Sequence, residues 1–84
     1  MDELVKYRLE IEDIDKNIAL LLNRRMELSK CIGNYKKINN LPVFDSEREK
    51  FLLEKNSKFI SPENVECYKK IFETILKCSK DMQL

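Results

Sequence analysis

The stretch ELVKYRLEIEDIDKNIALLLNRRMELSKCIGNY, residues 3–35, decides the fold. Stepping alternately three and four residues from Leu4 gives Leu4, Tyr7, Ile11, Ile14, Ile18, Leu21, Arg25, Leu28, Ile32 and Tyr35. This heptad seam predicts one long helix carrying an apolar stripe. No Pro interrupts it. Its one Gly, Gly33, lies near the end and costs about 1 kcal/mol relative to Ala; it is read as allowing close backbone approach. Arg25 is the only charged seam residue. A guanidinium keeps its charge, so burying it requires an anionic partner.

The helix would extend roughly 50 Å. A compact domain of this length has a diameter of about 30 Å. A helix of that reach overhangs its own domain with an apolar stripe exposed, and a second copy covering the overhang is the simplest remedy. An intertwined homodimer is expected.

Composition agrees with an all-α fold. Charged residues make up 37% of the 84-residue chain, with one Gly and two Pro to make turns. The chain reads as a single domain over residues 1–84. Helix 1 is expected to stop between Lys36 and Asn40, before Pro42. Leu41–Phe44 reads as a connector. Helix 2 starts either with Asp45 as N-cap or with Ser46 and Glu49 as a capping box. It runs to about Lys58, with Phe51, Leu52 and Lys55 on its inner side. Ser61-Pro62 opens helix 3, which shows Val65, Tyr68, Phe72, Ile75, Ser79 and Met82 at heptad spacing. One long and two shorter helices make up the architecture.

Several function classes lose support. The net charge of +1 offers no basic field for nucleic acid. The longest apolar run, Ile18–Leu22, is too short to span a membrane and the N-terminus lacks a signal peptide's apolar core, so a cytoplasmic location is expected. Cys31, Cys67 and Cys78 are read as free thiols packed among apolar neighbours. There is no histidine, which removes the usual general base and the commonest metal ligand. Chemistry that needs little proton transfer fits best.

The odd polar residues converge when placed on helices. Lys36 follows Arg25 by eleven residues, close to three turns, so both share a face about 16 Å apart. Two long side chains at that spacing can grip one small anion. Arg8 lies about 25 Å before Arg25, beyond reach of the same ligand, but in an antiparallel dimer the partner's Arg8 arrives beside Arg25. Each piece also has a plain explanation. Arg8 can pair with Glu12, Lys36 can complement the helix dipole, and Asp45 and Glu49 can serve as caps. Ser79 and Gln83 can be tolerated polar positions, and Arg25 can form an interhelical ion pair.

The run Arg8-x16-Arg25-x10-Lys36-x8-Asp45-x2-Arg48-Glu49, followed by Ser79-x3-Gln83, resembles the all-helical chorismate mutases. Supporting text lies in IDKNIALLLNRRMELSKCIGNYK and LPVFDSEREK, so the resemblance spans essentially the whole chain. It implies an entwined dimer of three-helix subunits that converts chorismate to prephenate on the route to phenylalanine and tyrosine. By that likeness Arg25, the other subunit's Arg8 and Ser79 would hold the two carboxylates of a dianionic substrate. Lys36 and Gln83 would donate to its ether oxygen. Glu49 and the backbone at Asp45 would receive its ring hydroxyl, and Arg48 would line the cationic wall. Isochorismate–pyruvate lyase resembles the same fold and is the nearest alternative; a non-catalytic helical dimerisation module is the alternative from another class. Gln83, next to last in the chain, is expected in a turn prone to fraying.

Overall fold

The computed structural model describes residues 2–84. Three α-helices follow one another, α1 (Glu3–Ile38), α2 (Ser46–Ser57) and α3 (Val65–Gln83), with a 3₁₀ turn at Pro62–Asn64. No strand occurs among the described residues.

Helix α1 has 36 residues and opens with the Asp2 carboxylate accepting from the Leu4 amide at 2.9 Å. Its end is a Schellman closure. The Leu41 amide donates to the Lys36 carbonyl at 2.8 Å and the Asn40 amide to that of Lys37 at 3.4 Å. Asn40 sits at φ 56°, the left-handed conformation such a closure needs and asparagine tolerates. Pro42 then prevents resumption of the helix. Of the two readings for the start of α2, Asp45 is the cap: its carboxylate accepts from the Arg48 amide at 3.0 Å. Pro62 begins the 3₁₀ turn that feeds α3, and Ser61 makes no side-chain capping bond there.

The C-terminal half of α1 and the whole of α3 run side by side in the same direction. Arg25 meets Phe72, Ser29 meets Ser79, and Gly33 meets Gln83. The chain between them, including α2, carries it back so that α3 can start alongside the middle of α1. Phe72 and Leu76 are the buried apolar residues of α3, with Val65, Tyr68, Ile75 and Met82 half-buried beside them. The heptad pattern anticipated that face but not Leu76.

Two expectations are corrected. Leu52 and Leu53 turn inward from α2, whereas Phe51 is 50% exposed and Lys55 is also outside, its ammonium 5.6 Å from the Phe51 ring centre. All three cysteines are free, as expected, but exposed within this chain rather than packed.

Most of the long seam of α1 is not buried against α3, although its Arg25 lies over Phe72. On α1 only Ser29 and Gly33 are buried, and every residue from Asp2 to Leu21 is exposed. The chain measures 57 × 25 × 15 Å with a radius of gyration of 16.1 Å, against about 12 Å for a compact domain of this length. None of the helices is long and apolar enough to cross a membrane among the described residues.

Candidate active site

A cavity of about 510 Å³ opens between α1, the 39–45 connector, α2 and α3. That volume lies in the range of small-molecule sites. Arg25, Lys36, Asp45, Arg48, Glu49, Ser79 and Gln83 all line it, so seven of the eight residues nominated from sequence meet there. Arg8 does not. It is exposed on the free half of α1, about 25 Å along the helix from Arg25.

Lys36 is the best-held cation. Its ammonium donates to the Val43 carbonyl at 2.9 Å and to Gln83 Oε1 at 3.0 Å. An ammonium has three donors and cannot accept. One N–H is therefore left for a ligand, and the Gln83 amide is forced to turn its oxygen toward Lys36, freeing its NH₂ to donate. Gln83 is 8% exposed and lies in the last turn of α3, which extends through it. Two donors on different helices are thus oriented by one mutual contact.

Gly33 explains this proximity. A Cβ there would lie 2.7 Å from both Cα and O of Gln83. These are backbone atoms, so no rotamer change relieves the clash. Gly33→Ala is expected to lower stability by about 1–3 kcal/mol through overpacking, despite alanine's better helix propensity. It should also impair function by pushing Gln83 from Lys36. Thermal unfolding checks the first effect, and an alanine variant more stable than wild type would refute the close approach.

Arg25 is half-buried, its guanidinium carbon 5.8 Å from the centre of the Phe72 ring. It makes no ion pair among the described residues, so no pair within this chain neutralises it. The aromatic face is a weak partner for a cation, and the fork keeps its donors available. Arg48 likewise stacks on Phe51 at 5.6 Å. Ser79 and the buried Ser29 share a hydrogen bond of 2.6 Å across the α1–α3 contact. Asp45 spends one carboxylate oxygen on the α2 cap.

Sequence reasoning missed Lys80, which also lines the cavity. One lysine among sixteen Lys and Arg residues carries no signal by itself; its place one turn before Gln83 on the same helix was the available clue. Leu28, Ser29, Ile32, Val43, Leu52 and Leu76 complete the lining and were not singled out for it. Four cations against two carboxylates leave the wall at net +2.

Fold and cavity together define a class, that of small all-helical proteins with a ligand-sized cationic chamber between their helices. The profile of the family described as chorismate mutase type II matches residues 7–84, and the chain belongs to that family. A bifunctional chorismate mutase/prephenate dehydratase of Buchnera aphidicola subsp. Schizaphis graminum is 50% identical over 54 residues, 64% of this chain and 14% of that relative. The chain therefore spans only a small part of the bifunctional protein. A chorismate mutase of Methanocaldococcus jannaschii is 29% identical over 85 residues, covering 99% of this chain and 86% of the relative. A solved structure, a conserved hypothetical protein from Pyrococcus furiosus, superposes with a TM-score of 0.84 at 38% identity, covering 100% of this chain and 99% of that one.

Proposed function

We propose that this protein is a chorismate mutase that rearranges chorismate to prephenate for phenylalanine and tyrosine synthesis, working as an intertwined homodimer. The observation that carries the reading is the meeting of seven nominated side chains in one cavity, with donors on Lys36 and Gln83 oriented by each other. Family membership and the name of the Methanocaldococcus relative support it.

The reaction is an intramolecular Claisen rearrangement. A C–O bond breaks and a C–C bond forms within one molecule, and no proton need be moved. Two contributions remain for the protein. It holds the enolpyruvyl ether over the ring in the reactive compact geometry, and it stabilises the charge that grows on the ether oxygen. The Arg25 fork and Ser79 take a carboxylate, a bidentate task suited to guanidinium. The free N–H of Lys36 and the NH₂ of Gln83 face the ether oxygen, where their hydrogen bonds strengthen as the bond breaks. Glu49 and the backbone at Asp45 receive the ring hydroxyl, and Arg48 adds positive potential to the wall.

The dimer rests on exposure. Nine apolar seam residues of α1 are each more than 40% exposed, Leu21 at 70%. Total accessible surface is 7160 Å², against about 5,300 Å² for a compact monomer of this mass. A second copy laid against α1 covers that excess and brings Arg8 of the partner subunit to the cavity of the first.

The direct test is incubation of the purified protein with chorismate, following its loss and prephenate formation. Prephenate is expected. Pyruvate from isochorismate without prephenate would make the protein a lyase of the same fold, and indifference to both substrates would leave a dimerisation module. A sharper check is Gln83→Glu. The introduced carboxyl beside the Lys36 ammonium is held at or below the ordinary glutamate range near 4.3. At neutral pH it is an anion facing developing negative charge, so activity should be lost there. It should return in part as the pH falls through that range and the carboxyl becomes a donor. A variant as active as wild type at pH 7 would take Gln83 away from the ether oxygen.

A further inference from the structure

Lys80 belongs to the cavity wall but not to the set of residues given a task above. Its side chain leaves α3 one residue after Ser79 and crosses to two other elements. The ammonium stands 3.9 Å from Glu49 Oε1 on α2 and 4.5 Å from the centre of the Phe44 ring on the connector. Its side chain is 37% exposed and that of Glu49 25%, so the pair is partly withdrawn from solvent at the cavity's edge.

The other three lining cations are engaged elsewhere. Lys36 is held by Val43 and Gln83, Arg25 lies by Phe72, and Arg48 lies over Phe51. Among the described residues no other ion pair or side-chain hydrogen bond reaches Glu49. Its carboxylate, on a stem with three rotatable torsions, has Lys80 as its one anchor. Lys80 in turn is steadied by the Phe44 face, because a cation within about 6 Å of a ring centre is drawn to it. A relay from Phe44 through Lys80 to Glu49 thus ties connector, α3 and α2 together. It engages Oε1 and leaves Oε2 to accept from a ligand.

We propose that Lys80 is a positioning residue that holds the Glu49 carboxylate in place for the substrate's ring hydroxyl, an inference that rests on the role assigned to Glu49 above. Lys80 acts through Glu49 and touches no reacting atom. A misplacement of about 1 Å can cost on the order of a hundredfold in rate; a partly exposed pair 3.9 Å apart restrains Glu49 less firmly than a short hydrogen bond would, so an effect of about tenfold is expected.

The experiment is a double-mutant cycle on kcat/KM for chorismate, with Lys80→Met, Glu49→Gln, the double variant and Lys80→Arg. Methionine keeps the length of the stem without its charge. Lys80→Met is expected to lose about tenfold, and Glu49→Gln on the order of a hundredfold through the weaker acceptor. The double variant should be no worse than Glu49→Gln alone, and Lys80→Arg should stay within about twofold of wild type because charge and ring contact persist. Unchanged thermal unfolding in Lys80→Met separates this from a loss of fold. Multiplying losses in the double variant would mean that Lys80 acts independently of Glu49, and would overturn the proposal while leaving the mutase reading intact. So would full activity in Lys80→Met. A wild-type protein that leaves chorismate unchanged overturns both.

Discussion

Lys36→Ala is expected to reduce kcat for chorismate by at least 10²- to 10³-fold, the loss typical of removing one preorganised donor at a developing oxyanion. The true figure should lie at the upper end, because the ammonium does three things at once. It keeps one N–H free for the proposed ligand contact, fixes the Gln83 amide by the 3.0 Å contact, and closes the connector through the Val43 carbonyl at 2.9 Å. Alanine deletes the donor, releases the glutamine to rotate, and leaves two acceptors without their partner. Secondary structure and oligomeric state should persist, since most of the exposed seam residues to which the proposed dimer contact is assigned, Leu4 to Leu21, lie more than a dozen residues before Lys36 on α1. Rapid-quench or continuous chorismate assays read the effect, with circular dichroism and sedimentation as controls. A variant retaining a tenth of wild-type kcat would show that the ether oxygen is stabilised from somewhere else.

The second large effect is a recovery. If Arg25 and the partner subunit's Arg8 share one site as proposed, Arg8→Ala and Arg25→Ala should each be nearly inactive as homodimers, since each would remove a guanidinium assigned to a substrate carboxylate. Co-refolding equal amounts gives half heterodimers by random pairing. In these, both defects fall in one site and the other site is whole. About one quarter of all sites are then intact, so about a quarter of wild-type activity should appear in a mixture of two inactive proteins. No recovery beyond the sum of the parents would place Arg8 outside the opposite site. This prediction depends on Arg8, the one nominated residue that this chain keeps away from its own cavity.

Patterning revealed the fold more readily than it revealed the packing. Heptad spacing located α1 to within a few residues at either end, because a run without Pro and with regular apolar steps admits little else. It did not show which stripe of α1 meets α3. That contact uses Ser29 and Gly33, residues whose value is their small size and which an apolar count ignores. Helical spacing places Phe51 on the inner side of α2, yet its ring lies outside as a platform for Arg48 and Lys55.

The site was legible where helical geometry links distant positions. Eleven residues bring Arg25 and Lys36 to one face, and the resemblance added Gln83, Ser79 and Glu49. The tie from Lys36 to the Val43 carbonyl could not be read from sequence, because a backbone acceptor has no residue signature. Neither could the Lys80 relay, which depends on where α3 sits across from α2.

Helices α1 and α3 advance together by four residues between two small-residue contacts, Ser29 with Ser79 and Gly33 with Gln83. Such a pairing behaves as a vernier, in which the rotational phase of one rod is locked to the other at two marks. Bulk added at either mark on α1 would swing the far end of α3 as a lever and carry Gln83 with it. Positions 29 and 33 should therefore be among the least permissive on α1 in a saturation library, although no chemistry is assigned to either.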